Sequence, residues 1–339
     1  MAGTGRPSSP ELRRAVRRGA ALALAAGCAA AAATVTVTIH HQGSERSYLA
    51  HRPPAHASGT ALPLLIALHG TSMRAADMLA YTDLVALADR AGFVLVAPSA
   101  IDNAFNDGLA RAGSDAAAVN DVGFVEAVAE DARLRFGVRA DAIYLVGFSN
   151  GGSMVQRVAI ESSYPFAGFA AVASAVRVPT AGVVRPAPML LVFGNADPLN
   201  PPAGGWVWIP VPHAKPAPAQ TAAQWAQRLR CEGPPDTDTP APGVLARHWR
   251  HCAAGARLAW LTIDGLGHHW AGARPMPFPS FVVGPHVAAP KLGELVWQFF
   301  SLSASRTSSA APASISAAPP PAAPPAPGRA PPPGPATAR

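Results

Sequence analysis

Apolar residues along the chain occur in two patterns. Short continuous apolar runs, such as 62–69 and 143–146, are typical of strands that are covered on both faces. Between these runs, apolar residues recur at the spacing of one helix face, as in 75–90. This alternation predicts an α/β fold with a mostly parallel sheet and helices on both of its faces. We predict strands at 34–39, 45–50, 62–69, 93–97, 143–146, 168–173, 189–193 and 258–263, and helices at 75–90, 121–136, 154–160, 221–229 and 291–300.

Several segments fit neither pattern. Residues 99–119 predict a long surface loop, and long loops in compact enzymes often line sites. Residues 198–218 are irregular and rich in proline, and the loop after the helix at 221–229 carries two cysteines. Residues 301–339 are mainly alanine, proline and serine with no acidic residue, so we expect this tail to be disordered.

The N-terminal segment has the layout of a secretory leader. Basic residues up to Arg18 precede Ala20–Ala33, which is apolar, made of small residues and too short for a comfortable membrane span. Leu24 to Cys28 resembles a bacterial lipoprotein cleavage site, although Leu24 is one place too far from the cysteine. A lipid anchor at Cys28 and plain cleavage among the alanines after it both stay open. We predict an extracytoplasmic protein with a leader at 1–33, one catalytic domain at 34–302 and a disordered tail at 303–339.

The charge of the whole chain comes from its ends. The sequence has 27 basic and 20 acidic residues, but both kinds number 19 between Thr34 and Phe300. The predicted globular part is therefore close to neutral, which argues against a nucleic-acid groove.

The stretch from Gly147 to Gly152 predicts the nucleophile. It follows the buried run at 143–146 and precedes a helical segment, and Gly147 to Gly151 fits G-x-S-x-G. In such an elbow a tight turn lifts the serine oxygen above the sheet, and the flanking glycines allow neighbouring backbone to approach. Ser149 is the predicted nucleophile, provided that later residues supply a base and an acid.

Two later strand ends supply these partners in the order Ser, Asp, His that the elbow requires. Asp197 follows the run at 189–193, and His268 follows the run at 258–263. Chemistry in open α/β sheets gathers at the carboxyl ends of strands, so the three side chains are expected to converge. The alternatives are that Asp197 is only a turn residue, that Asp264 is the acid, or that His269 is the base.

A tetrahedral intermediate also needs hydrogen-bond donors for its oxyanion. We expect one from the backbone of Asn150 and the other from Thr71, after the strand that ends in Leu68 and His69. His69 precedes the serine and is expected to hold this loop by hydrogen bonds. No metal or organic cofactor is implied by this chemistry.

Cys231 and Cys252 are the cysteines that remain after the leader. In an oxidising compartment they are expected to form a disulfide worth about 3 kcal/mol in the loop-entropy model. The alternative is two unpaired thiols; the spacing does not resemble a zinc site.

Together these motifs resemble the secreted α/β-hydrolase esterases that include poly(3-hydroxybutyrate) depolymerases and feruloyl and acetylxylan esterases. The resemblance runs from about Arg46 to Phe300, and it assigns nucleophile, acid and base to Ser149, Asp197 and His268. It rests on Arg46-Ser47-Tyr48, Leu68-His69-Gly70, Gly92-Phe93, Asn106-Asp107-Gly108, Asp121-Val122-Gly123-Phe124, Gly147 to Gly152, Asp197 to Pro201, Cys231 with Cys252, and Gly267 to Gly272.

The chain departs from the family pattern at a few positions. Thr71 stands where many members have cysteine, Phe105 replaces a tryptophan, and Ala271 replaces a proline. Trp270 and Trp206 are candidate substrate contacts, although core packing is at least as good an explanation for Trp206. The family implies esters of polyhydroxyalkanoate oligomers first, and feruloyl or acetyl esters of plant polysaccharide as the alternative. A peptidase and a non-catalytic envelope interaction protein are the remaining hypotheses.

Overall fold

The computed structural model describes residues 34–54, 61–109, 119–178 and 185–309. The strands are β1 Thr34–His41, β2 Ser44–His51, β3 Leu64–Leu68, β4 Val94–Pro98, β5 Ile143–Phe148, β6 Gly168–Val172, β7 Met189–Gly194, β8 Gly205–Val207, β9 His213–Lys215, β10 Asp236–Ala241, β11 Val244–Trp249 and β12 Leu258–Ile263. Within the described residues, ten of them form one sheet in the order β1-β2-β4-β3-β5-β6-β7-β12-β11-β10. Neighbours from β4 to β12 in this order pair in parallel, and antiparallel hairpins extend the sheet at both edges.

Helices cover both faces of the sheet. The helices are α1 Ala75–Tyr81, α2 Leu84–Ala91, α3 Asp121–Phe136, α4 Asn150–Glu161, α5 Pro218–Arg228, α6 Ser280–Val283 and α7 Leu292–Ser309. Every residue of β3 is buried, and its side chains alternate between two cores. Leu65 packs with the face that carries α1, α2 and α7, whereas Leu64 and Ile66 pack with the face that carries α3, α4 and α5. The predicted α/β-hydrolase fold is confirmed, because continuous apolar runs form the doubly covered parallel strands.

The segment predicted as one helix at 75–90 is two helices. Thr82 has extended backbone angles that end α1, and both its backbone N–H and its hydroxyl donate to the Met78 carbonyl, at 3.2 and 2.8 Å. The break leaves the Asp83 carboxylate free to accept hydrogen bonds from the indole of Trp270 and from the backbone of Gly293.

Other boundaries differ from the sequence prediction as well. Helix α3 begins at Asp121 as predicted and is capped by Asn120, whose side chain accepts from Gly123 N at 2.9 Å. The loop between the cysteines contains the hairpin β10–β11, and the proline-rich segment contains the small antiparallel pair β8–β9. Helix α7 continues to Ser309, past the expected domain boundary at 302.

The predicted leader at 1–33, with Cys28, and the tail from 310 onward lie outside the described residues. Among the residues that are described, no helix combines the length and the apolar character that a membrane span requires.

Candidate active site

Ser149 lies at a sharp turn between the central strand β5 and helix α4. Its backbone has φ 55° and ψ −118°, a conformation that is costly for a residue with a side chain. The turn requires glycines at both flanks: a Cβ on Gly147 would lie 2.2 Å from the Gly151 carbonyl, and one on Gly151 would lie 2.3 Å from the Leu68 carbonyl. The predicted strand, turn and helix at this motif are therefore present, with Ser149 at the carboxyl end of the sheet.

His268 lies in the loop after β12 and contacts Ser149. Its Nε2 is 2.8 Å from Ser149 Oγ, and its Nδ1 is 2.8 Å from Asp197 Oδ2. Gly267 lets this loop pass close to the Val283 carbonyl, which accepts a hydrogen bond from His268 N. The three side chains thus form a continuous chain of hydrogen bonds, as the sequence predicted from their order and strand ends.

Asp197 is 1% exposed in the loop after β7. Oδ1 accepts from the backbone N–H groups of Leu199 and Asn200 at 2.7 and 3.0 Å, and Oδ2 accepts from Asn200 Nδ2 and His268 Nδ1. Burial raises the pKa of the Asp197 carboxyl, but His268, Asn200 and Lys215 outweigh burial and hold the pKa below its usual value. The acid is therefore ionised at neutral pH.

The ionised acid decides the tautomer of His268. Because Asp197 can only accept, His268 Nδ1 carries the proton of this bond, and Nε2 is left to accept from the Ser149 hydroxyl. The 3.2 Å contact between Asn200 Nδ2 and His268 Nδ1 then joins two donors and is not a hydrogen bond.

Asn200 and Lys215 are functional-site residues that the sequence reasoning missed. Asn200 is 2% exposed, and its Nδ2 donates to Asp197 Oδ2 at 2.8 Å and to the Ala173 carbonyl at 2.9 Å. Lys215 Nζ donates to Asn200 Oδ1 at 2.8 Å and so fixes which way the amide faces. No local pattern in the sequence indicates this pair, because Asn200 and Lys215 lie 15 residues apart in a proline-rich segment without apolar periodicity.

Both predicted oxyanion donors line the same cavity as Ser149 and His268. Asn150 is the first residue of α4, so no earlier turn of the helix supplies a carbonyl for its backbone N–H. The Asn150 side chain donates to and accepts from the backbone of Phe105, at 3.0 and 2.8 Å, and this ties the elbow to the loop after β4. Thr71 follows Gly70 in the loop after β3 and is partly exposed in the cavity.

His69 has the loop-holding contacts that were expected of it. Its Nδ1 donates to the Gly70 carbonyl at 2.9 Å, and its Nε2 accepts from Ala100 N at 3.1 Å. Burial lowers the pKa of the His69 imidazole, so the ring is neutral and connects two loops.

The competing candidates lie away from this chain of bonds. His269 is buried and its Nε2 contacts the Gly284 carbonyl at 3.3 Å. Asp264 is exposed, and its Oδ1 accepts from Asn195 Nδ2 at 2.8 Å. The geometry therefore favours His268 and Asp197 over both.

The two tryptophans predicted as substrate contacts do not line the cavity. Trp270 is 0% exposed; its backbone N–H donates to Tyr81 Oη and its indole donates to Asp83 Oδ1, so it is a core residue. Trp206 is 67% exposed on β8, where it stacks on Trp208, so it is neither in the core nor in the cavity. Because the Trp270 side chain is fully buried, the prediction that it contacts substrate was wrong.

Cys231 and Cys252 form the expected disulfide, 21 residues apart in sequence. It joins the end of α5 to the segment after β11 and closes the loop that contains the edge hairpin. Within the described residues, no group of three or more His, Cys, Asp or Glu side chains could hold a metal ion.

No protein-family model matches the chain. Among curated proteins, "Putative esterase NocK" of Nocardia uniformis subsp. tsuyamanensis is 31% identical over 268 residues, which cover 71% of this chain and 75% of that protein. "Bifunctional acetylxylan esterase/xylanase XynS20E" of Neocallimastix patriciarum is 24% identical over 248 residues, and the match spans 33% of that longer protein.

Among solved structures, the acetyl xylan esterase from Aspergillus awamori superposes with a TM-score of 0.56 at 13% identity. The superposition covers 79% of this chain and 99% of that structure. At such low identity the likeness supports the fold.

Proposed function

This chain belongs to the α/β-hydrolase esterase family that includes NocK, and from that premise we propose that it hydrolyses carboxylic esters with Ser149, His268 and Asp197 as a catalytic triad. The observation that carries the proposal is the unbroken pair of 2.8 Å contacts from Ser149 Oγ through His268 to Asp197 Oδ2. A serine hydroxyl is a weak nucleophile on its own, and this arrangement supplies the base that activates it.

In the proposed acylation step, Ser149 Oγ attacks the ester carbonyl while its proton passes to His268 Nε2. Asp197 stabilises the imidazolium through the bond to Nδ1, and it stays ionised because four donors surround it within the described chain. The backbone N–H groups of Asn150 and Thr71 stabilise the oxyanion, an effect typically worth about 3 to 4 kcal/mol for a single donor. His268 then returns the proton to the departing alcohol.

Deacylation repeats these steps with water as the nucleophile. His268 Nε2 takes a proton from water, the hydroxide attacks the acyl carbonyl, and the proton is returned to Ser149 Oγ as the acid leaves.

Two substrate classes are supported by different observations. The motif resemblance favours oligomers of a polyhydroxyalkanoate such as poly(3-hydroxybutyrate), whereas the names of XynS20E and the Aspergillus protein favour acetyl esters of xylan. Feruloyl esters are a close variant of the second class. Initial rates of the purified protein on hydroxybutyrate oligomers, acetylated xylan, methyl ferulate and nitrophenyl acetate rank these classes directly. A peptide amide in the same panel tests the peptidase alternative.

Covalent labelling tests the triad. A fluorophosphonate probe should label the wild-type protein and should fail to label Ser149→Ala. Ser153→Ala is the matched control, because Ser153 lines the same cavity one turn further along α4. This variant keeps the contact between Ser149 and His268 and should still be labelled. A wild-type protein that stays unlabelled would favour the non-catalytic hypothesis instead.

We also propose that the leader directs export and is removed. Mass spectrometry of the protein from its native host gives the mature N-terminus, and a lipid-modified Cys28 there distinguishes anchoring from plain cleavage.

A further inference from the structure

Two cationic side chains, Lys215 and Arg177, line the same cavity as Ser149 and His268. The cavity has a volume of about 170 Å³; Asp107 also lines it, and most of the remaining wall area is apolar. Lys215 is only 9% exposed, and the side chain of Arg177 is 11% exposed. The walls include Met73, Leu109, Phe148, Leu199, Ile209 and Val283.

The ammonium of Lys215 has only uncharged hydrogen-bond partners among the described residues. Nζ donates to the Leu199 carbonyl at 2.6 Å and to Asn200 Oδ1 at 2.8 Å. An ammonium has three N–H donors, so the described residues leave one donor for a ligand in the cavity. A cation that is removed from water is normally paired with a carboxylate, and among the described residues no carboxylate bonds directly to Lys215.

The carboxylates that face Lys215 are engaged elsewhere. Asp197 accepts its hydrogen bonds from His268, Asn200 and the backbone, and Asp107 pairs with Arg177 at 3.2 Å. The other titratable group on the same strand is His213. Burial, followed by repulsion from Arg177, lowers the pKa of Lys215 to about 7, although Asp197 and Asp107 act in the opposite direction.

We propose that Lys215, beside the Arg177–Asp107 ion pair, forms a carboxylate subsite, so that the protein selects esters that carry a free carboxylate on the acyl or the alcohol part. Such a substrate would give Lys215 the directly bonded anionic partner that the described residues do not supply, while the apolar walls hold the alkyl part. The inference rests on the proposed esterase function and narrows it: a short hydroxyalkanoate oligomer ends in a carboxylate, whereas a neutral acetylated sugar does not.

Matched substrate pairs test the subsite. Methyl hydrogen adipate and the methyl ester of adipic monoamide differ in carboxylate against amide on the acyl side. The butyrate ester of 4-hydroxybutyric acid and that of its amide place the same difference on the alcohol side. For at least one pair, we expect the wild-type kcat/KM to favour the carboxylate by about tenfold or more, as for a charge-assisted hydrogen bond.

The variant Lys215→Met should bring this ratio close to one. The ratio is the informative quantity, because losing the bond to Asn200 slows both members of a pair alike. Lys291→Met is the matched control: Lys291 also donates to a backbone carbonyl, that of Gly272, but does not line this cavity, so it should keep the wild-type ratio.

The outcomes distinguish failure of the carboxylate subsite from failure of the proposed esterase function. Hydrolysis of the amide members with no carboxylate preference in either pair overturns the subsite and leaves the esterase intact. A preference that survives in Lys215→Met also overturns it. Failure to hydrolyse any ester overturns the proposed function and the subsite with it. If Lys215→Met does not fold, inhibition of the wild type by adipate compared with adipamide replaces it, and equal inhibition refutes the inference.

Discussion

Replacing Asp197 by asparagine changes one carboxylate oxygen of the proposed triad to an NH₂ group. We expect this change to move the proton of His268 from Nδ1 to Nε2. The two backbone N–H groups of Leu199 and Asn200 require an oxygen at the Oδ1 position. The new amide must therefore turn its NH₂ group toward His268 Nδ1 and Asn200 Nδ2, where the carboxylate now accepts two bonds. Both neighbours are donors, so the side chain of residue 197 meets them donor to donor.

His268 can relieve its share of this conflict by moving its proton. Nδ1 then accepts from the amide of residue 197, and Nε2 carries the proton and can no longer accept one from Ser149. We expect kcat to fall by about 10³ to 10⁴, which is roughly 4 to 5.5 kcal/mol of barrier, with KM nearly unchanged. The unmet donor of Asn200 should lower the free energy of unfolding by about 1 to 3 kcal/mol.

Steady-state kinetics on a nitrophenyl ester, together with urea unfolding, measures both effects. Asp264→Asn is the control, because Asp264 follows β12, is exposed and bonds to Asn195 instead. It should keep kcat within about twofold. An Asp197→Asn protein that retains a tenth of the wild-type kcat would refute the tautomer argument, and an equal loss in Asp264→Asn would show that the wrong acid was chosen.

Three further predictions concern the disulfide, the two tryptophans and Lys215. Replacing Cys231 and Cys252 by serine should lower the free energy of unfolding by about 3 kcal/mol relative to the oxidised wild type, measured by urea unfolding, and the reduced wild type should match the variant; an unchanged midpoint would contradict the loop-entropy estimate. Trp270→Ala should cost about 3 to 5 kcal/mol of stability, because the side chain is fully buried, whereas Trp206→Ala, an exposed position, should cost about 0.5 kcal/mol or less; thermal melting compares them, and equal losses would refute the burial argument. The kcat/KM preference for carboxylate esters should fall as pH rises above about 7, because the ammonium of Lys215 is lost there while the substrate stays anionic; a ratio that is constant from about pH 6 to pH 9 would exclude Lys215 as its source.

The parallel strands and the proposed triad were predictable because both rest on local pattern. A strand covered on both faces leaves a continuous apolar run, and strand ends at one edge of a sheet bring Ser149, Asp197 and His268 together. The G-x-S-x-G motif predicted the position of the nucleophile. Its glycines are required for steric reasons, because a Cβ at Gly147 or Gly151 would clash with backbone atoms.

The remaining features depend on contacts that no local pattern records. Strand β10 is mostly exposed and polar, with a proline in it, so it lacks the alternation that indicates a strand. The helix break lies at the extended backbone of Thr82, inside a segment of helical periodicity, and Trp270 is buried against the distant partners Tyr81 and Asp83. The link from Lys215 to Asn200 spans 15 residues and becomes visible only when the segment folds back.

The proposed triad residues and the walls around them come from separable parts of the chain. Ser149, Asp197 and His268 each follow a parallel strand of the central sheet, whereas Ile209, Lys215 and Phe278 line the cavity from excursions beyond those strands. Mutations in these segments outside the parallel strands can therefore alter which ester binds, while the contacts among Ser149, His268 and Asp197 are kept. Lys215 is the exception, since it both lines the cavity and steadies Asn200. At Lys215, a substitution that changes substrate preference would also weaken the support of Asn200. Mutant libraries that keep Lys215 and vary 206–210 and 276–282 should therefore contain more active variants than libraries that also vary Lys215.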